Sequence, residues 1–195
     1  METGYTFDQF THARVIIGIV TGFSMARILT GLARMIQRPA RGRGRWLQLG
    51  WALFLLLWVT HFWWFEFGIS PAGRWTFGLY LFTIAYVSLF FFTCVILFPD
   101  PQDDPDGFAQ YFPAHRTWFY GLLALLFAAD AAFSALKGPA HLQLLGTTLA
   151  AKQTFLLLLA LAAPFIRDPR FHIGFAAVAI VLQVWWILRG FGLAP

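Results

Sequence analysis

Six long apolar runs, approximately 12–37, 46–67, 75–98, 117–137, 141–166 and 170–190, take up most of this 195-residue chain. A helix needs about 20 apolar residues to cross a bilayer core of about 30 Å, and each run meets that length. Only 12% of the residues are charged and 59% are hydrophobic, against about 25% charged in an ordinary soluble domain. A soluble fold of this size could not withdraw so much apolar surface from water. The composition therefore excludes a soluble enzyme, a disordered tail and a fibrous protein. The expected fold class is all-α, with one domain over 1–195. That domain is a polytopic integral membrane protein, a bundle of six transmembrane helices.

The breaks between the runs carry turn chemistry. Gly42 and Gly44 lie in the first, Pro71-Ala72-Gly73 in the second and Pro99 to Pro105 in the third, followed by Gly138-Pro139 and Asp168-Pro169. The last two connections are short, which predicts antiparallel neighbours for the fourth and fifth spans and for the fifth and sixth. The first apolar run is too long for the h-region of a cleavable signal, and no small-residue cleavage motif follows it. Basic residues concentrate at Arg34, Arg38, Arg41, Arg43 and Arg45, and the positive-inside rule puts that loop in the cytoplasm. Both termini are then outside (N-out/C-out). On that topology eight basic residues fall inside and four, Arg14, Arg74, Lys137 and Arg189, fall outside. The net charge of +5 reads as topology, not as a nucleic-acid footprint. The expected location is a cell membrane, the inner membrane in a bacterium.

Two patterns concern packing. Trp46, Trp51, Trp75, Trp118, Trp185 and Trp186 lie near span ends, as interfacial anchors do. Gly18, Gly22, Ala26 and Thr30 recur at four-residue spacing in the first span, a small-residue stripe that lets helices approach closely. Packing within the chain is the plainer reading of the stripe, and self-association the other. A Trp pair also follows His61 in the second span and Gln183 in the sixth. This could mark a parallel repeat of two hairpins, although interfacial tryptophan enrichment accounts for it as well.

Ionisable groups in hydrocarbon need a partner or a purpose. His61 lies six residues from the outer end of its span, and Asp130 and Gln183 seven from theirs. At about 1.5 Å per residue, these three share a level on the order of 10 Å below the outer surface. Lys152 and Gln153 fall about one turn deeper. The tight turn at Gly138-Pro139 then lets Lys152 reach back to Asp130, and an ion pair between them is expected. His61, Asp130, Lys152, Gln153 and Gln183 form the candidate polar intramembrane site. Arg27 is expected either to snorkel toward the cytoplasm beside Arg34 or to join Asp130 and Lys152 in one network. A purely structural reading competes, in which the polar groups neutralise one another and fix helix packing.

No sequence feature requires a cofactor. Haem ligation by two histidines fits poorly, because His61 lies near the outer side and His115 and His172 near the inner side. An outer metal site of His12, His61 and His141 lacks HxxxH or HExxH spacing. The acidic stretch from Asp100 to Asp106 has no EF-hand pattern. The single cysteine, Cys94, excludes an internal disulfide framework, and no nucleophile motif is present.

The leading expectation is a small transport- or channel-type protein, not an enzyme, with an ion, proton or solute site in the outer half. The alternative is an accessory or structural subunit of a larger membrane complex that contacts lipid or pigment, and a membrane enzyme ranks third. Expected partners are membrane lipids and either copies of itself or other membrane subunits, with no nucleic acid. The topology has a direct test. Single cysteines at Thr3 and Gly192, in a Cys94→Ser background, are expected to react with an impermeant thiol reagent in whole cells. Labelling that appears only after lysis would reverse the orientation.

Overall fold

The computed structural model describes residues 2–37, 43–68, 76–100, 108–136 and 139–190, with side chains left out of the description at 2–12, 43, 65–68 and 139–146. These residues form α1 (Glu2–Gln37), α2 (Arg43–Gly68), α3 (Phe77–Leu97), α4 (Phe108–Leu136), α5 (Pro139–Ala162) and α6 (Pro169–Gly190). A 3-10 turn, Ala163–Phe165, follows α5. The described residues include no strand. Each of the six helices contains a stretch long and apolar enough to cross a membrane, which supports a multi-pass membrane protein. Such a helix bonds its backbone polar groups internally, as hydrocarbon demands. The Arg38 to Gly42 loop, Arg74, Trp75, the acidic stretch after Asp100 and Lys137 lie outside the described residues.

α2 is the central element and packs against α1, α3, α4 and α6. Its inward face carries Trp51, Phe54, Trp58 and Phe62, spaced three or four residues apart so that they share one side of the helix. Trp51 meets Phe54, Phe119, Tyr120 and Phe175 edge-on, at 5.0 to 5.9 Å between centroids. Trp58 stacks on Phe127 at 4.9 Å and 17°. Phe62 meets Tyr86 edge-on at 5.3 Å. Each such pair contributes about 0.5–1.5 kcal/mol beyond its area.

The order of contacts shows alternating helix directions. Near its start α2 touches the end of α3, where Gln48 Nε2 donates to Leu97 O at 2.9 Å. Gly44 abuts Ala109 at the start of α4, and Gly50 abuts Ala176 near the start of α6. One end of the bundle, called here the basic end, therefore gathers Arg34, Arg45, Arg116, Arg167 and Arg170. α2 and α6 run side by side in parallel, and the Trp pairs of the two helices lie toward the opposite end.

Several expectations are corrected. Trp51 is fully buried, not interfacial, because it sits on the α2 face that meets α4 and α6. Trp46 and Trp118 are exposed, as anchors would be. α4 begins at Phe108, nine residues before the expected 117, since Phe108 and Phe112 bury one turn apart against Phe119. α5 and α4 are close neighbours, whereas α6 touches α5 only lightly and docks mainly on α2.

The small-residue stripe of α1 also faces another way. Gly22, Ala26 and Thr30 are exposed, and the packed face is Ala13, Ile17, Thr21, Ser24, Ile28 and Gly31. Only Gly18 of the stripe admits a neighbour, since a Cβ there would lie 2.3 Å from Trp63. The close approach of α1 to α3 is instead made at Gly31, where a Cβ would sit 2.3 Å from the Phe98 ring. Gly31→Ala is therefore expected to lower the thermal midpoint of the detergent-purified protein, at a cost of about 1–3 kcal/mol from overpacking. Gly22→Ala, with nothing within 4 Å, should leave the midpoint at or above wild type. Equal losses in the two variants would contradict the assigned face.

Candidate functional site: a polar layer across five helices

The polar layer stands on five helices, α2 to α6, that each contribute a buried or half-buried group. From α3, the Tyr86 hydroxyl donates to Asp130 Oδ1 at 2.6 Å. From α5, the Gln153 amide Nε2 donates to the other carboxylate oxygen of Asp130. Its neighbour Lys152 donates from Nζ to Gln183 Oε1 of α6 at 3.0 Å, and the ammonium also lies 5.2 Å from the centre of the Trp186 ring. Tyr86, Gln153, Gln183 and Lys152 are only 1%, 3%, 2% and 7% exposed. Asp130 and His61 are half-buried.

Local sequence explains this geometry. Residues 152 and 153 are consecutive on α5, so they point about 100° apart. Gln153 turns toward α4 and Lys152 toward α6. One two-residue unit thereby joins α4 and α6, which also meet nearer the basic end, where Tyr120 stacks on Phe175 at 5.8 Å. Among the described residues no ion pair within 4.0 Å links Asp130 to Lys152; the ion pairs there are those of Arg27 and Arg34 with Asp100. The expected direct pair is thus replaced by neutral donors and acceptors around each charge. Lys152 still bears electrostatically on both Asp130 and His61.

The chemistry follows from the hydrogen-bond inventory. An ionised Asp130 can only accept, and its two oxygens take a phenol and an amide. Lys152 can only donate, and its recorded acceptor is an amide oxygen. Gln153 Oε1 is buried with no hydrogen-bond partner, which leaves one acceptor of the layer unused. Among the described residues no group of three or more His, Cys, Asp or Glu could hold a metal ion. His12 and His141 of the suggested outer metal site have side chains outside the described residues.

Arg27 does not join this layer. It lies toward the basic end, where NH2 donates to Phe98 O at 2.6 Å and NH1 to Asp100 Oδ1 at 3.0 Å. Arg34 approaches the same carboxylate at 3.6 Å. Phe98 caps the C-terminus of α3, so the guanidinium meets unpaired carbonyls at the negative end of a helix dipole. The acidic residue after Pro99 supplies the partner that the sequence did not identify. The shared Arg27–Asp130–Lys152 network is therefore replaced by two separate charge clusters.

Sequence reasoning missed Tyr86 and Trp186 as members of the layer. Trp186 reads in the sequence as an anchor and Tyr86 goes unremarked, although a tyrosine hydroxyl in mid-span needs a partner as much as a glutamine does. It also missed a second buried cluster near the basic end. Tyr120 Oη lies 2.8 Å from His172 Nδ1, and His172 Nε2 lies 3.0 Å from Ile166 O. A carbonyl can only accept, so Nε2 carries the proton and Nδ1 accepts from Tyr120. This arrangement ties the start of α6 to the turn before it and to α4.

Comparison with protein-family models, with curated proteins and with solved structures finds no match to this chain.

The clasp at the basic end sets a pH dependence. The hydrogen bond from Arg27, and then its charge, hold the Asp100 carboxyl below its ordinary value, with Arg34 adding to the effect. An acid depressed in the folded state contributes stability that is complete above its unfolded pKa of about 3.9 and is lost as the pH falls through the folded value. Asp100→Asn is expected to melt below wild type at neutral pH. The gap should close as the pH falls below about 3.9. A gap that persists unchanged into acid would mean that the Asp100 charge is not what Arg27 holds.

Proposed function

We propose that this chain is a small multi-pass protein of a cell membrane, the inner membrane in a bacterium, working as a transport- or channel-type protein. Its site is the layer of His61, Tyr86, Asp130, Lys152, Gln153 and Gln183, and its basic end faces the cytoplasm with both termini outside. It works in lipid as a homo-oligomer or beside other membrane subunits. The observation that carries the reading is a buried amine and a half-buried acid in adjoining hydrogen-bond sets of otherwise apolar helices. A charge at the centre of a spanning helix costs about 2.5–3.5 kcal/mol, and apolar residues of similar volume would pack the same space without that cost. His61 adds an imidazole, which can both donate and accept a hydrogen bond.

A second reading has its own observation. Tyr86 is packed against Phe62, Phe90 and Phe133, the dry surroundings expected of a layer that only registers helices in a larger complex. The two readings separate in proteoliposomes loaded with pH-sensitive and ion-sensitive dyes. The wild type is expected to carry flux, and His61→Gln and Asp130→Asn to lose most of it while each still elutes as a monodisperse species. Absence of flux in the wild type across protons, common cations and common anions would favour the subunit reading.

A further inference from the structure

The polar layer also constrains what it can take up. A metal cation would need several oxygen or nitrogen ligands. Asp130 already has both oxygens engaged, and no cluster of metal-ligating side chains stands near it among the described residues. An anion would look for Lys152, but that ammonium is buried, bonded to Gln183 and set against Trp186. The smallest species remains, and one buried atom is placed to respond to it. Gln153 is 3% exposed and its Oε1 has no hydrogen-bond partner, while its amide group donates to Asp130.

We propose that the cargo of the layer is the proton, that Asp130 receives it, and that the Gln153 amide turns over when it does. This rests on the transport reading and names its substrate. With Asp130 ionised, the carboxylate holds the amide nitrogen of Gln153 and leaves Oε1 unpaired. A proton from bulk water forms one O–H bond on a carboxylate oxygen. The hydronium ion that supplies it loses one O–H bond and leaves as water, and the layer gains one positive charge. The carboxylic acid is now a donor and needs an acceptor. Rotation of the Gln153 amide by half a turn brings Oε1 to that proton. Among the described residues, Tyr86 on α3 bonds Asp130 directly and Lys152 on α5 acts on it electrostatically, while His61 on α2 faces Lys152 in the same way. The Tyr86 hydroxyl can remain a donor to the second carboxyl oxygen throughout.

The test is difference infrared spectroscopy of the whole protein in lipid, titrated with pH, with glutamine side-chain carbonyls isotopically labelled. A protonated-carboxyl band should grow as the pH falls. Loss of that band in Asp130→Asn, or its displacement in Asp130→Glu where the asparagine variant does not fold, assigns it. A labelled glutamine band missing from Gln153→Leu should shift with the same midpoint. A carboxyl band that titrates while the glutamine band stays fixed overturns the turnover. No Asp130 titration at any pH where the protein stays folded overturns the proton assignment, even if an ion flux is found. Proton flux absent from proteoliposomes while the two bands move together overturns the proton as cargo along with the transport reading, and leaves only the Asp130–Gln153 turnover standing.

Discussion

Contacts between apolar helices gain little from the hydrophobic effect in a bilayer, because lipid chains are as apolar as leucine. Shape, dispersion and the satisfaction of polar groups must then hold the bundle. In this protein those demands meet on one face of α2. Trp51, Phe54, Trp58 and Phe62 present flat rings that α4, α3 and α6 close upon. Small residues allow the approach, with Gly50 against Ala176 and Gly44 against Ala109. α1 and α5 lie outside this core, on α3 and α4.

The polar groups are arranged around that apolar centre and kept apart by it. At the basic end, Arg27 and Gln48 cover the last carbonyls of α3, and Asp100 neutralises Arg27. Near the other end, Asp130 and Lys152 sit in separate hydrogen-bond sets that meet at the peptide between residues 152 and 153. Removing one partner of a buried polar contact costs more than the contact itself contributes, because a desolvated group is stranded. Both clusters therefore resist piecemeal change. The same logic makes the unpaired oxygen of Gln153 informative, since a buried acceptor without a donor is rare in a settled structure.

Much of the candidate site was legible before the fold. His61, Asp130, Lys152, Gln153 and Gln183 stand out because polar residues in apolar runs are few, and counting from the span ends puts three of them at one depth with Lys152 and Gln153 about a turn deeper. The partners were not legible. Depth along a helix follows from a rise per residue, but the direction a side chain takes depends on how each helix is rotated in the bundle. Depth alone therefore pairs Lys152 with Asp130, whereas its acceptor is Gln183, and draws Arg27 toward Asp130, whereas it meets Asp100 at the basic end. Tyr86 was hidden for a related reason, since its ring counts as apolar until its hydroxyl is seen to meet Asp130.

The sequence by itself determined the class of the protein. Run length, the scarcity of charge and the turn residues between runs leave an all-helical chain with six membrane-competent helices, because only a helix satisfies its own backbone in hydrocarbon. Only the tertiary structure decided which face of each helix is inside. Gly18, Gly22, Ala26 and Thr30 share a spacing that suits close packing, yet α1 turns Gly31 and Ile28 inward and leaves most of that stripe exposed. In helices apolar on nearly every side, the amphipathic pattern that would reveal rotation is absent. The fit of specific rings and glycines against their neighbours settles it instead, and that fit exists only once the helices have met.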